Sequence, residues 1–262
     1  MNIVSLNVGI RLDNASEVAK YLKELDCDVI CLQEVTRHFQ DSVKEKFRSK
    51  QVIDDALSST YGYSFFGPLW ICEAIKHGNK MIENFEGLVE QGNYILSKYP
   101  FLEAKNMHYY KEYSLALDWT NWKKEDHGRA IQDVTIDFNG NSVRLGHLHG
   151  IWTQDKMGDE RTVAQSQFIV DNFGGANLPV CIVGDFNLDP SCESVGIMNG
   201  SFRNMIKEYG IKATRPDFED EIDKGLRVDD YIFVNDQVRV KGFEVLEAKV
   251  SDHYPLVLDF DI

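Results

Sequence analysis

The chain has 262 residues, of which 43% are hydrophobic and 27% charged, and its formal net charge at pH 7 is −14. This composition is typical of a globular protein. The acidic balance argues against binding nucleic acid through a broad basic surface. No apolar segment approaches the roughly 18 residues of a membrane-spanning helix. Because the chain also opens with a strand-like segment and no leader, we expect a cytoplasmic protein without a membrane span.

The first 60 residues predict alternating strands and helices from their apolar periodicity. The predicted elements are a buried strand over 2–8, a helix that begins with a capping-box pattern at Asn14 and Glu17, a strand over 28–35, a charged helix over 36–50 and a shorter helix over 51–60.

Periodicity is weak between residues 62 and 128, where only 92–98 predicts a strand. After this region the predicted elements are a hairpin over 129–138 and 142–149, a helix over 160–173 and strands over 178–185, 228–234, 242–248 and 254–260. Polar segments with catalytic potential come from both ends and the middle of the chain. We therefore expect a single domain over residues 1–262.

The five cysteines are odd in number and lack a paired spacing, which argues against a disulfide framework or a zinc site built from cysteine. Cys31 and Cys181 stand inside apolar runs and are expected in the core.

Several apolar runs stop at a polar side chain suited to catalysis. Glu34 and Asp185 each end such a run, and Asn7 and Asp252 hold matching positions. A carboxylate at the end of a buried strand is costly unless it is paired, solvated or bound to a cation. A helix cap or a surface turn explains one such residue alone. Several together predict one site rich in oxygen ligands at the strand ends.

The segment Gly184-Asp185-Phe186-Asn187 is more specific. Gly184 permits close approach of backbone and ligand. Asp185 can orient a water or accept its proton, and Asn187 can position the same water or a phosphoryl oxygen. An ordinary Asx-turn is the alternative.

The segment Ser251-Asp252-His253 places a hard oxygen ligand, suited to Mg²⁺ or Mn²⁺, beside an imidazole. A protonated His253 can stabilise negative charge on a phosphate. Asp229 or Asp230 could hydrogen-bond an imidazole and raise its pKa, although an exposed acidic turn is an equal alternative.

His147 and His149 are two residues apart on a predicted strand and so face the same side. The pair could bind zinc, but the sequence offers no obvious third soft ligand. We expect instead that one histidine contacts phosphate while the other packs nearby. Lys156, Arg161 and Arg129 could add cations for phosphate, or could simply form loop and helix-start contacts.

Taken in order, these segments resemble the endonuclease/exonuclease/phosphatase superfamily, to which deoxyribonuclease I belongs. The resemblance covers nearly the whole chain and rests on Leu32-Gln33-Glu34, Gly184-Asp185-Phe186-Asn187 and Ser251-Asp252-His253, with weaker matches at Asp230-Tyr231-Ile232-Phe233 and 92–97. It implies an α/β four-layer sandwich in which two mixed β-sheets pack face to face with helices on both outer sides.

The resemblance also implies a metal site. Glu34 would be the main ligand of Mg²⁺, or of Mn²⁺ in its place. Asn7 and Asp252 would lie nearby and contact the ion directly or through water.

The catalytic roles that the resemblance implies involve five residues. Asp185 would activate the attacking water and Asn187 would orient it. His253, held by Asp230, would stabilise the transition state together with His149.

Two departures from the family pattern concern the histidines. The family has one histidine at the end of the central strand, and we prefer His149 because His149-Gly150-Ile151-Trp152 stands where this strand should end. The family also has a glutamate that orients this histidine. Glu73 and Glu90 are candidates for it.

The sequence thus predicts a divalent-metal-dependent hydrolase of phosphate esters, either a nuclease or other phosphodiesterase, or a phosphatase. Nucleic acid or a nucleotide is the default substrate, but the acidic balance makes a small phosphate ester an equal candidate. No protein partner is evident. The alternatives are an inactive binding module on the same fold and a zinc hydrolase that uses His147 and His149.

An aromatic segment could stack a base or simply pack; it comprises Tyr109, Tyr110, Tyr113, Trp119 and Trp122.

Overall fold

The computed structural model describes residues 1–9, 12–39, 44–77, 80–113, 127–216 and 227–262, with side chains described outside 73–86. Twelve strands in these ranges form two sheets of six. The strands are β1 (Asn2–Asn7), β2 (Val29–His38), β3 (Tyr63–His77), β4 (Lys80–Ser97), β5 (Phe101–Tyr110), β6 (Arg129–Phe138), β7 (Asn141–His149), β8 (Val180–Asp185), β9 (Arg203–Asn204), β10 (Asp230–Val234), β11 (Arg239–Val245) and β12 (Leu256–Asp261).

Five helices accompany the strands in the same ranges. They are α1 (Ala15–Leu25), α2 (Ser49–Leu57), α3 (Glu160–Phe173), α4 (Glu193–Asn199) and α5 (Met205–Glu208), and a 3-10 turn covers Glu45–Phe47. None of the helices described has the length and apolar character needed to cross a bilayer.

Both sheets are mixed, because each contains one parallel strand pair at its centre. The first sheet has the order β11-β12-β1-β2-β4-β3, with β1 and β2 parallel. The second has the order β5-β6-β7-β8-β10-β9, with β7 and β8 parallel. Parallel neighbours end at the same edge of a sheet. The polar residues that end β1, β7 and β8 are therefore brought to sheet edges.

The period-two alternation of the central strands supplies two cores. Ile3 and Cys31 belong to a core that also contains Leu145 and Cys181 of the second sheet. Their chain neighbours belong to a second core, beneath α1 and α2, which includes Val4, Leu6, Ile30, Leu32, Val18, Leu22, Ile53 and Leu57. On the far side, Phe173 of α3 belongs to the core of the second sheet. The predicted four-layer α/β sandwich is confirmed, and Cys31 and Cys181 lie in the core as expected.

A chain of buried polar groups links the two sheets. Gln33 donates from its amide to Ser5 at 3.1 Å and to His147 Nε2 at 2.6 Å, and His147 Nδ1 donates to Gln132 at 2.7 Å. Burial lowers the pKa of His147 to about 3, so the imidazole stays neutral. Both ring nitrogens of His147 are thus occupied within the sandwich. This geometry argues against the zinc pair that the spacing of His147 and His149 allowed.

The predicted helix over 36–50 is wrong. β2 continues to His38, because Thr36 pairs with Gln91 and Arg37 pairs with Glu90 in β4. In the described residues from 44 onwards, helical structure begins with the turn over Glu45–Phe47 and continues with α2. Pairing with an adjacent strand overrides the local helical pattern.

The structure also differs from the sequence prediction at the start of α1. Asn14 is the N-cap residue, but its side chain makes no capping hydrogen bond. Its amide instead donates to the carbonyl of Val250 at 2.5 Å. The carboxylate of Glu45 accepts from the backbone N–H of Ser16 at 3.0 Å. A distant side chain therefore satisfies a free N–H group of the first turn, at the residue before Glu17.

Candidate active site

Three neighbouring strands of the second sheet bring His149, Asp185 and Asp230 into one row. The β7–β8 register pairs His149 with Asp185, and the β8–β10 register pairs Asp185 with Asp230. All three residues are buried. Strand register alone therefore brings together an imidazole and two carboxylates that are far apart in the sequence.

The first sheet adds Asn7 and Glu34 to this row. Asn7 Nδ2 donates to Asp185 Oδ2 at 3.0 Å, while Asn7 Oδ1 accepts from the backbone N–H of Gly9 at 3.0 Å. Glu34 Oε1 lies 3.9 Å from His149 Nε2. Side chains from the two sheets therefore meet at a single site, as the sequence predicted.

Asp185 lies at the centre of the site. Its Oδ2 is 3.6 Å from His149 Nε2 and 3.8 Å from His253 Nε2, and its Oδ1 accepts from the backbone N–H of Asn187 at 2.8 Å. Burial by itself would raise the pKa of Asp185. The cationic His253 and Lys156, together with the hydrogen bond from Asn7, more than offset this effect and hold the pKa well below its ordinary value. Asp185 therefore stays ionised.

His253 is held by Asp230 in a buried ion pair. His253 Nδ1 lies 2.9 Å and 3.1 Å from the two carboxylate oxygens of Asp230, and Thr214 Oγ1 donates to Asp230 Oδ2 at 2.7 Å. Burial lowers the pKa of His253, but Asp230 and Asp185 more than compensate and raise it to about 10. Nδ1 therefore donates to Asp230, and the protonated Nε2 lies 3.8 Å from Asp185 Oδ2.

His149 differs from His253 in its charge. Burial and the positive charge of Arg129 lower the pKa of His149 well below its ordinary value, so its imidazole is neutral. Its backbone carbonyl lies 3.5 Å from Arg129 and 3.4 Å from the hydroxyl of Tyr109. The site thus combines one cationic and one neutral imidazole on either side of Asp185.

The glutamate expected to orient His149 is not Glu90. Glu90 pairs with Arg37 and accepts from the hydroxyl of Tyr113 at 2.5 Å. The side chain of Glu73, the other candidate, lies outside the described residues. Within the described part of the chain, the buried Nδ1 of His149 makes no hydrogen bond.

Asn187 and Lys156 form a second buried pair. Lys156 Nζ donates to Asn187 Oδ1 at 2.6 Å and lies 5.2 Å from the centre of the Trp152 ring. Asn187 Nδ2 is buried and has no hydrogen-bond partner among the described residues. The lysine therefore fixes the amide so that its N–H₂ group is the end left available to a ligand.

Strained backbone accompanies these side chains. Glu34, Lys156 and Asn187 have φ values of 60°, 60° and 58°, in the left-handed region that residues with a Cβ rarely adopt. Glu34 also lies in a β-bulge, where the register with β4 shifts between Leu32 and Val35. Such strain and bulges cluster at functional sites, where they re-aim side chains.

The side chains present fit a hard divalent cation. The carboxylate of Glu34 is 22% exposed and is thus accessible from solvent. Asp185 and Asp230 have carboxylate oxygens within 4.8 Å of each other, whereas His253, the third residue of this cluster, is cationic and is not a ligand in this state. A donor set dominated by carboxylate and amide oxygens suits Mg²⁺ or Mn²⁺ better than softer metals.

The remaining predicted residues occupy different places. Asp252 accepts from Arg215 at 2.9 Å. Arg129 is buried behind His149, whereas Arg161 pairs with Asp159 at the start of α3, as the alternative interpretation of this segment proposed. Trp119 and Trp122 of the aromatic segment lie outside the described residues, whereas Tyr109 lies beside the backbone of His149.

Sequence reasoning missed Thr214 and Arg215. Thr214 accepts from the backbone N–H groups of Asp229 and Asp230, and its carbonyl accepts from the N–H of Tyr254. It therefore connects the start of β10, which carries Asp230, with the segment that carries His253. Neither residue belongs to a motif or to a periodic segment. Only the folded chain shows what they contact.

Comparisons with known proteins agree with this geometry. The model of the "Endonuclease/Exonuclease/phosphatase family" matches residues 4–253. A search of curated proteins finds no match.

The fold is shared with solved structures at low sequence identity. A family protein from Beutenbergia cavernae is 18% identical over 99% of this chain and 71% of that chain, with a TM-score of 0.72. Bacteroides thetaiotaomicron mannosyl-6-phosphatase is 16% identical over 100% of both chains, with a TM-score of 0.69. TDP2 from D. rerio, solved with a single-strand DNA product, is 16% identical over 100% of this chain and 99% of that chain, with a TM-score of 0.68.

These structural likenesses concern the fold alone. The family match extends from β1 to the segment that carries His253, and so includes each strand end that contributes to the site. The chain belongs to the endonuclease/exonuclease/phosphatase family.

Proposed function

We propose that this protein is a divalent-metal-dependent hydrolase of phosphate esters. The observation that carries the proposal is the environment of Asp185, an ionised buried carboxylate between two imidazoles at 3.6 Å and 3.8 Å. One imidazole is neutral and the other cationic. This arrangement suits a reaction in which a water attacks a centre that gains negative charge.

Asp185 orients the attacking water and accepts a hydrogen bond from it. The low pKa of Asp185 makes it a weak base, so we assign it mainly to orientation of the water. Asn187 directs its unpartnered Nδ2 to the same water or to a phosphoryl oxygen. Asn7 holds Asp185 through the 3.0 Å hydrogen bond to Oδ2.

The two histidines stabilise the charge that develops on phosphate. His253 donates from Nε2 as a cation, and Asp230 keeps the proton on the imidazole. His149 is neutral and donates a hydrogen bond. Donors positioned in advance on a buried site stabilise a transition state more than mobile water does.

Glu34 would hold the metal, with Asn7 beside it and Asp252 in contact through water. A bound Mg²⁺ would polarise a phosphoryl oxygen and stabilise the negative charge on the leaving oxygen. The sequence predicts that Arg129, Lys156 and Arg161 could contact the phosphate of a substrate. Lys156 and Arg129 are buried against Asn187 and His149, so we propose that they act through these residues.

A small phosphate ester is the substrate class we favour. One structural neighbour is a mannosyl-6-phosphatase, and another was solved in complex with a single-strand DNA product. The neighbours therefore include both a small phosphate ester and a nucleic acid among their ligands and activities. The net charge of −14 opposes a long polyanion. Since both sheets contribute to one site, we also propose that the chain forms a single domain.

The test is a panel of phosphate esters assayed with and without metal. We expect hydrolysis of sugar phosphates, nucleotides or an activated phosphodiester in Mg²⁺ or Mn²⁺, complete loss in EDTA, and recovery when either ion is returned. Glu34→Gln should raise the Mg²⁺ concentration for half-maximal rate by about tenfold or more. Recovery with Zn²⁺ alone would favour the zinc alternative, and hydrolysis that persists in EDTA would refute the proposal.

A further inference from the structure

Arg215 binds Asp252, the carboxylate that the family resemblance assigned to the metal. One Nη atom of Arg215 donates to Asp252 Oδ2 at 2.9 Å, and Nε donates to the backbone carbonyl of Asp252 at 3.0 Å. The Arg215 side chain is only 14% exposed. Two contacts from a planar, permanently charged group fix the carboxylate in one orientation.

The guanidinium of Arg215 also lies within a wider group of carboxylates. Its other Nη atom lies 3.5 Å from Asp229 Oδ2. Asp252, Asp229, Asp185 and Asp230 together raise the pKa of Arg215 although burial lowers it. Asp185 and Asp230 belong to the cluster whose ligand atoms lie within 4.8 Å of one another. Arg215 therefore supplies positive charge within electrostatic reach of these carboxylates.

The other oxygen of Asp252 is confined by the backbone. A Cβ at Gly9 would lie 2.5 Å from Asp252 Oδ1, and Gly9 has φ +70°. The carboxylate thus packs directly against a glycine two residues after Asn7. The same oxygen lies 3.3 Å from the hydroxyl of Ser251, whose single proton has a closer acceptor in the backbone carbonyl of Asn7 at 2.6 Å. One oxygen of Asp252 is therefore held by Arg215, and the other packs against Gly9 and Ser251.

We infer that this site binds one divalent cation, at Glu34 and Asn7, and that Arg215 takes the place of a second by holding Asp252 in an ion pair. The inference rests on the proposed metal-dependent function and refines it. Arg215 acts here as a positioning residue. A dication at Asp252 would have to displace the guanidinium or lie beside a like charge.

The test counts bound Mn²⁺ directly, by titration calorimetry and by electron paramagnetic resonance of the free ion. The variants are Arg215→Gln and, as a matched control, Arg227→Gln, because Arg227 pairs with the same buried Asp229 at 2.8 Å. The wild-type protein should bind one ion. Arg215→Gln should bind a second, weaker ion, and Arg227→Gln should still bind one.

Two ions in the wild type, one ion in folded Arg215→Gln, or a second ion in both variants would overturn the inference. If Arg215→Gln does not fold by circular dichroism, Asp252→Asn replaces it. Asp252→Asn should change the Mn²⁺ dissociation constant less than about threefold, whereas Glu34→Gln should weaken binding about tenfold or more. If Asp252→Asn weakened Mn²⁺ binding as much as Glu34→Gln does, the inference would also be overturned. Absence of any binding by the wild type would instead contradict the metal-dependent function itself.

Discussion

Lys156 is a buried lysine whose ammonium group donates to the amide oxygen of Asn187 at 2.6 Å. The two ends of an amide differ in chemistry, because the oxygen accepts hydrogen bonds and the nitrogen donates them. With its oxygen bound by lysine, Asn187 presents its nitrogen to a ligand. The φ values of 60° and 58° at Lys156 and Asn187 show that the fold maintains this pair against local backbone preference.

We predict that Lys156→Met lowers kcat by about 10- to 100-fold with little change in KM, because the amide of Asn187 loses the contact that orients it. Methionine keeps an unbranched side chain against Trp152, so the fold should be retained. Steady-state kinetics distinguish a lysine that positions Asn187 from a lysine that binds substrate. A raised KM with unchanged kcat would make Lys156 a substrate-binding cation instead. The exposed Lys207→Met is the matched control and should leave both constants unchanged.

Sequence motifs predicted several residues that the structure brings together, but they gave no sign of Thr214 and Arg215. Glu34 and Asp185 are conspicuous because each ends a buried apolar run, and Asn187 belongs to the same short segment as Asp185. Thr214 and Arg215 lie in an irregular segment that has no such run. Their functions depend on contacts with Asp230 and Asp252, and a residue's distant contacts are not visible in the local sequence.

At the level of elements, the pairing of β7 and β8 determines the geometry around Asp185. Leu148 and Gly184 are opposite each other, one residue before His149 and Asp185. A Cβ at Gly184 would lie 2.0 Å from the carbonyl oxygen of Leu148, and Gly184 has φ +145°. The sequence interpretation expected this glycine to let a ligand approach. In the structure it lets a neighbouring strand approach.

We predict that Gly184→Ala destabilises the fold by about 2 kcal/mol or more, since it combines a backbone clash with a disfavoured φ. Gly196→Ala is the control, because a Cβ at Gly196 in α4 meets nothing within 4 Å. Alanine in a helix should stabilise the protein by about 0.5–1 kcal/mol. Urea denaturation measures both changes, and equal stability of the two variants would contradict this account of the strand pair.

The predicted elements were correct where periodicity was regular and wrong where pairing decided the structure. The hairpin of β6 and β7 and the helix α3 follow clear patterns and were found. β3 and β4 were largely missed, because bulges between Pro68 and Trp70 and between Cys72 and Ala74 interrupt the period-two alternation. A bulge shifts the side-chain pattern by one residue, which destroys the signal that identifies a strand.

At the scale of the whole molecule, an acidic chain gathers buried cations among the carboxylates of its site. The chain has a net charge of −14. Arg129 is buried, and Lys156 and Arg215 are largely buried. All three cations interact electrostatically with Asp185. A local group of cations within an acidic protein suits a compact anion better than a long polyanion. This distribution supports the choice of a small phosphate ester.

The overall architecture could be predicted because the order of motifs along the chain is specific to one family. What the sequence did not reveal is how the two sheets are joined. The chain from Ser5 through Gln33 and His147 to Gln132 is built from residues on four strands. The spacing of His147 and His149 left a zinc pair as the less favoured alternative, and in the structure the partners of His147 are two amides between the sheets.

The most direct test of the central claim is the hydrolysis rate of Asp185→Asn on the best substrate of the phosphate-ester panel, with saturating Mg²⁺ or Mn²⁺. Asparagine has the shape of aspartate without its charge. The exposed Asp259→Asn, on β12, is the matched control. The account predicts a loss of about 10²-fold or more in kcat for Asp185→Asn, an unchanged rate for Asp259→Asn, and a wild-type melting temperature for both. A folded Asp185→Asn enzyme that retains the wild-type rate would contradict it.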